Sequence, residues 1–203
     1  MKKALKFLVK FPFKHYRYLL ATVGGVFLVG LIYFFFLIKD LPDTDILVSR
    51  QVSESTKIYD RTGEVLLYEI HGEEKRTIIP FDQVPEYAKQ ATIAIEDENF
   101  YRHGAVDWRG ILRAFIVNIL KRRIDQGGST ITQQLVKKAF LTDDRTATRK
   151  LKELALAIKL EGKYSKDEIL NLYLNQIPYG SNAYGIEAAS KTFFDKNAKD
   201  LNL

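Results

Sequence analysis

Twenty consecutive residues without a charge, Leu19 to Ile38 (LLATVGGVFLVGLIYFFFLI), interrupt an otherwise mixed pattern of apolar and polar positions. A helix of that length covers the roughly 30 Å hydrocarbon core of a bilayer, so the pattern predicts a membrane-spanning helix. A cleaved signal peptide is the competing reading. Its apolar region would be shorter and a small-x-small cleavage site would follow, whereas Lys39-Asp40-Leu41-Pro42 follows here. Residues 39–55 are polar and punctuated by Pro42, which reads as a stalk, and residues 56–203 read as one folded domain.

Within that domain, Lys57-Ile58-Tyr59 and Val65-Leu66-Leu67-Tyr68 favour strands and flank Asp60-Arg61-Thr62-Gly63, a turn with glycine where a positive φ is needed. This predicts a packing hairpin. After Pro85 the pattern turns helical and stays so. Trp108, Ile111, Leu112, Phe115, Ile116, Ile119 and Leu120 recur at helical spacing, with Arg109, Arg113 and Lys121 off the stripe, which predicts a core helix. Ala147, Leu151, Leu154 and Ile158 form the apolar side of another. Ser165-Lys166-Asp167-Glu168 has capping-box spacing and should start a helix that turns Ile169, Leu172 and Tyr173 inward. The fold class is therefore mainly α with a small β-hairpin element.

Charge adds an orientation. The chain has 203 residues and a formal charge of +6, but Lys2, Lys3, Lys6, Lys10, Lys14 and Arg17 precede any acid. Without those six bases, 25 remain against 25 acids, so the domain is neutral overall and carries no nucleic-acid footprint. Bases before the span and Asp40, Asp43 and Asp45 after it place residues 1–18 in the cytoplasm as a basic tail and residues 56–203 outside. The absence of cysteine decides nothing about compartment.

Three polar clusters could carry chemistry. Glu96-Asp97-Glu98-Asn99 precedes Phe100, Tyr101, His103 and Trp108, so a carboxylate lying against aromatic groups would gain a raised pKa suited to proton transfer; a solvated acidic face is the alternative. His103 reads as a hydrogen-bonded structural residue rather than a metal ligand, since the other two histidines are distant in sequence. In the second cluster a Gly127-Gly128 pair opens into a helix. If that helix begins near Ser129, then Ser129, Gln133 and Lys137 share one face beside an anion-attracting helix start, although a capped surface helix fits equally well. In the third, Arg145, Arg149 and Glu153 fall at i+4 steps with Lys150 and Lys152 nearby. An exposed ion-paired stripe is the usual explanation, worth about 0.3–0.5 kcal/mol per pair. Together with Lys137, these cations beside two candidate acids suit a diphosphate leaving group.

In order along the chain, these residues resemble the five motifs of the family 51 glycosyltransferases, the N-terminal domains of class A penicillin-binding proteins and the monofunctional peptidoglycan transglycosylases. Glu96-Asp97 with Phe100, His103 and Asp107 is similar to the first, GGSTITQQLVK from Gly127 to the second, and RKLKE from Arg149 to the third. Ile169-Leu170 with Tyr173-Leu174-Asn175 resembles the fourth, and Tyr179-Gly180 followed by Gly185-Ile186-Glu187-Ala188-Ala189 the fifth.

The resemblance implies a lysozyme-like domain that polymerises lipid II onto a growing glycan strand, inverting C1 and releasing undecaprenyl diphosphate. By the same resemblance Glu96 is the catalytic base and Glu153 a second essential acid assisting departure of the diphosphate, directly or through a divalent cation (Mg or Mn) bound with it. No metal site formed by the protein alone is implied. Asp97, Ser129, Thr130, Gln133, Gln134, Lys137, Arg145, Arg149 and Lys150 match substrate-binding positions. Expected partners are the cytoplasmic membrane and proteins of a cell-wall synthesis complex, with no nucleic acid. Ala105 and Asp195 stand where the family commonly has glycine, and Lys138 where it has asparagine. Asp200-Leu201-Asn202-Leu203 looks like a point from which family members continue, so the chain is expected to be a C-terminally truncated fragment. A non-catalytic scaffold and a membrane-bound muramidase are the alternatives; a muramidase needs two acids flanking a glycosidic bond but no cationic stripe.

Overall fold

The computed structural model describes residues 2–39, 41–44, 56–64, 66–70, 75–121, 127–141, 144, 146–164 and 165–202. It divides into two units, residues 1–41 and 42–203. The stalk from 45 to 55 and Arg145 lie outside the described residues.

The first unit is one helix, α1 (Lys2–Lys39). Its stretch from Tyr18 to Phe36 is long and apolar enough to cross a membrane. The helix continues N-terminally through the basic tail rather than starting at Leu19; it runs through Pro12, and no glycine precedes Gly24.

The second unit is mostly helical, with α2 (Glu86–Glu96), α3 (Trp108–Lys121), α4 (Ile131–Phe140), α5 (Ala147–Glu161), α6 (Lys166–Gln176) and α7 (Ile186–Phe194). At its centre α4 packs against α5 and α6. Ile131, Leu135 and Val136 meet Leu156 and Leu160 of α5 and Ile169, Leu170 and Leu174 of α6 as the fully buried core. Each such side chain contributes roughly 1.5–3 kcal/mol relative to exposure. The capping box of α6 forms as expected, with Ser165 Oγ accepting from Glu168 N and Glu168 Oε2 accepting from Ser165 N at 2.8 Å. That backbone donor holds the Glu168 carboxyl below the usual carboxylate range. Ile169 and Tyr173 turn inward as expected, whereas Leu172 is only half-buried and Leu170 and Leu174 fill the core beside them.

Three expectations need correction. The predicted hairpin forms from β1 (Thr56–Tyr59) and β2 (Leu66–Ile70), antiparallel with Ile58 opposite Tyr68, and Gly63 takes φ 77° in the turn. Yet its described side chains Ile58, Tyr59 and Leu67 are exposed, so it is not a packing hairpin there. Helix α3 also forms, but of its residues only Ala114 is buried, and its apolar stripe, with Trp108 73% and Leu120 77% exposed, faces outward. Periodicity marks which face of a helix is apolar, not whether another element covers it. Helix α5 buries Glu153, Leu156, Ala157 and Leu160 while Ile158 and Ala147 are exposed, a rotation that turns the acid inward.

The helical run after Pro85 is interrupted by a second sheet in which β5 (Ala183–Tyr184) lies between β4 (Pro178–Gly180) and β3 (Lys75–Arg76). β4 and β5 are joined by Ser181 and Asn182 at φ 50° and 56°, the doubly left-handed backbone of a tight hairpin turn. Asn175 fastens α6 to residues before α2, exchanging both amide hydrogen bonds with Ile79 at 3.0 Å. Gly185 follows β5 at φ 81°, where a Cβ would lie 2.5 Å from Asn175 O. The two departures from family glycines cause no conflict. Asp195 ends α7 at φ 53°, a conformation a short polar side chain tolerates, and Ala105 has no positive φ.

Candidate active site

The site grows from the ends of α2, α4 and α5. Helix α4 is capped by Thr130, whose hydroxyl accepts from Gln133 N at 3.2 Å, so the helix begins two residues after Ser129. Asp97, immediately after α2, points a carboxylate oxygen at this helix start and accepts from Ile131 N at 3.1 Å. Its other oxygen meets His103 Nε2 at 2.7 Å, and His103 Nδ1 donates to Gly104 O at 2.6 Å. His103 is therefore the hydrogen-bonded structural residue expected. The buried carboxylate beside the aromatic run is Asp97, at 8% exposure, while Glu96 is exposed into a cleft.

Glu96 and Glu153 share a cavity of about 410 Å³. Lys137 and Lys138 of α4 and Arg149 and Lys150 of α5 give it a cationic wall, and Ser129 and Gln134 add neutral polar groups. Lys138, where the family commonly has asparagine, thus adds charge to the cavity itself. Gln134 Nε2 donates to Glu96 Oε2 at 3.0 Å, and Tyr173 OH donates to Gln134 Oε1 at 3.0 Å. Glu153 is 2% exposed and both its oxygens are engaged, by Arg149 Nη1 at 2.6 Å and by Lys150 Nζ. Lys150 also donates to Ser129 Oγ at 3.1 Å and Gln133 Oε1 at 3.0 Å. Arg149 is steadied by its own Nε donating to Asp144 O at 2.5 Å. Burial and the negative charge of Glu96 push the Tyr173 and Tyr179 hydroxyls well above the ordinary tyrosine range, so both stay protonated.

Two more cavities adjoin this one. A polar cavity of about 380 Å³ is bounded by Glu96, Asp97, Glu98, Asp107 and Arg113, and Ser129 also lines it. An apolar cavity of about 450 Å³ lies between α3 and α5, walled by Trp108, Ile111, Phe115, Leu151 and Leu154, with Ser129 and Lys150 at its polar edge. Ser129 belongs to all three, and Glu96 stands between the first two.

Of the sequence-predicted residues, Glu96, Ser129, Gln134, Lys137, Arg149, Lys150 and Glu153 converge on the cationic cavity. Thr130 and Gln133 are buried and line the polar and the apolar cavity instead, and Thr130 Oγ1 and Gln133 Nε2 donate to Ala105 O at 3.2 and 2.7 Å. Asp97 lies beneath, with both oxygens used. The hydroxyl of Tyr173 was not anticipated; sequence spacing marked that residue only as inward packing.

A divalent cation held by Glu153 does not fit this donor set, because Arg149 and Lys150 already occupy both carboxylate oxygens. Ligand atoms of Asp97, His103 and Asp107 lie within 4.8 Å of one another, but the Asp97 oxygens are spent on His103 and Ile131 N.

Residues 63–203 match the transglycosylase family. The chain is 44% identical over 185 residues to penicillin-binding protein 1A of Aquifex aeolicus, covering 91% of this chain and 25% of the relative. It is 42% identical over 180 residues to penicillin-binding protein 1A of Neisseria gonorrhoeae, covering 88% and 22%, and 40% identical over 190 residues to that of Clostridium perfringens strain 13, covering 91% and 28%. The chain thus spans about a quarter of the length of these relatives. The match over most of the chain and this level of identity settle its kinship: the chain belongs to the transglycosylase family.

Proposed function

We propose that the chain is the glycosyltransferase part of a membrane-anchored peptidoglycan polymerase, which extends glycan strands from lipid II on the outer face of the cytoplasmic membrane. The observation that carries the reading is the position of Glu96, on the wall between a cationic cavity and a polar one. A base that serves two substrates must touch the space of both. Glu96 takes the proton from the acceptor sugar 4-hydroxyl, the oxygen attacks C1 of the lipid-linked donor from the face opposite the leaving group, and the C1–O bond to the diphosphate breaks with inversion. Lys137, Arg149 and Lys150 meet the charge that develops on the departing diphosphate. The adjoining apolar cavity suits the first prenyl units of the carrier, and the exposed apolar face of α3 suits contact with the lipid phase. A divalent cation, if bound, would be held with the substrate diphosphate beside Lys137, Arg149 and Lys150 and would add positive charge there.

A muramidase would need its second carboxylate open to the glycosidic bond, and Glu153 is closed by two cations. Partner proteins of a cell-wall synthesis complex belong to the proposal at the level of the whole gene product.

Glu96→Gln tests the reading, because it removes the proton acceptor and keeps size and most hydrogen bonding. In the full gene product reconstituted with lipid II, polymerisation should fall about 100-fold to 10,000-fold while donor binding survives. Activity within a few-fold of the parent would sink the base assignment, and a parent that makes no polymer would sink the proposed function.

A further inference from the structure

The side chain that holds Glu96 is a glutamine, and a glutamine amide is ambiguous. Turned one way, Gln134 donates to the carboxylate; turned the other, it presents a carbonyl oxygen and repels it. Glu96 is exposed, so its own packing does not hold the amide in place. An ionised carboxylate only accepts and so takes the NH2 group; the amide is held from its far side, where Tyr173 OH reaches Gln134 Oε1 at 3.0 Å. A phenol facing an amide oxygen can only donate to it, which leaves the NH2 group aimed at Glu96 Oε2, also at 3.0 Å.

We propose that Tyr173 is a positioning residue for glycosyl transfer: through Gln134 it fixes the orientation and hydrogen bonding of the catalytic carboxylate. The inference rests on Glu96 being the base, as proposed above.

Three features support it. Tyr173 is 2% exposed on α6, whose capping box and core residues hold it still, so the phenol is a rigid anchor rather than a mobile one. Gln134 is one helical step from Gln133, which is locked between Ala105 O and Lys150, so the backbone under the amide is fixed as well. Burial and the charge of Glu96 keep the phenol protonated, so it remains a donor at every pH at which the enzyme works.

Tyr173→Phe keeps the ring and its packing and removes only the donor. The other charged or titratable groups around Glu96 are Lys137 and Lys138 of α4, Arg149, Lys150 and Glu153 of α5, Asp97, Glu98, Asp107 and Arg113 at the polar cavity, and Tyr179. None of these is altered. At neutral pH kcat should fall about 3-fold to 10-fold with KM for lipid II nearly unchanged, since positioning rather than binding is lost. In a Gln134→Met background the same Tyr173→Phe change should do nothing further, because its route to Glu96 is already cut.

The measurement is kcat and KM for polymerisation of lipid II by the full gene product, as parent, Tyr173→Phe, Gln134→Met and the double variant. If the parent polymerises and Tyr173→Phe leaves kcat in place, the positioning role is overturned while the glycosyltransferase reading stands. Equal losses in the parent and Gln134→Met backgrounds would overturn it too, by showing that the phenol acts elsewhere. If Glu96→Gln retains activity, both this inference and the base assignment fall together.

Discussion

Glu153 sets an energetic problem that its surroundings solve. Taking a carboxylate out of water costs several kcal/mol, and that cost is recovered only with close counter-charges and filled lone pairs. Arg149 and Lys150 supply both, with Arg149 itself 15% exposed and Lys150 reaching in from a 48% exposed position. The Lys150 contact is therefore partly screened and the Arg149 contact dominates. Glu153 thus aligns the cations that face the cavity. Glu153→Gln leaves Arg149 without its counter-charge, so lipid II polymerisation should fall on the order of 100-fold and affinity for a phosphoglycolipid donor analogue should change as well. A variant that matches the parent in rate and affinity would remove Glu153 from the leaving-group role. Much of this site could be read in the chain: i+4 steps placed Arg149 with Glu153, and the run from Ser129 to Lys137 marked the second wall. Other parts could not. Gln133 and Gln134 stand four and three residues before Lys137, so helical spacing alone does not say which of them faces the cavity, and the helix is capped by Thr130 rather than begun at Ser129. The Tyr173 hydroxyl was invisible because its partner is 39 residues away in sequence.

Among the elements, the helices were legible and their surroundings were not. Trp108 to Leu120 forms the helix its spacing predicts, yet leaves the stripe uncovered. α5 turns an acid inward, which no rule of apolar periodicity anticipates, because what permits it is a pair of counter-ions on the same helix, one of which, Lys150, is held by tertiary contacts to Ser129 and Gln133. The β4–β5 turn was likewise missed, although Pro178, Gly180, Ser181 and Asn182 carry the turn chemistry for it. The uncovered stripe makes a prediction at this scale. Apolar surface left in water forgoes roughly 25 cal/mol per Å², so a row of exposed aromatic and aliphatic groups on one helix favours an apolar phase. Trp108 is the chain's single tryptophan and heads the stripe at 73% exposure, which makes it the reporter. In proteoliposomes made from this chain, its fluorescence should be quenched by brominated acyl chains and shielded from iodide in the water. Quenching by iodide alone would place α3 in solvent.

For the whole molecule, function depends on which side of the membrane residues 42–203 occupy, and that is written mainly in charge. Six bases lie before the apolar stretch of α1, with Asp40, Asp43 and Asp45 just after it. Bases near a span are retained on the cytoplasmic side, so Lys2 should stay inside and everything beyond Lys39 should be exported. Lipid-linked glycan units are polymerised outside, so the enzyme reading requires the same orientation. The chain contains no cysteine, and a single introduced thiol therefore reports its own location without background. Thr62→Cys puts one in the exposed turn of the hairpin, and Lys2→Cys puts one at the other end of α1. A maleimide that cannot cross membranes should label Thr62→Cys in intact spheroplasts and Lys2→Cys only after the membrane is opened. The reverse pattern would invert the topology and leave the cationic cavity on the side where no strand is built; labelling of both in intact spheroplasts would mean that α1 does not span at all.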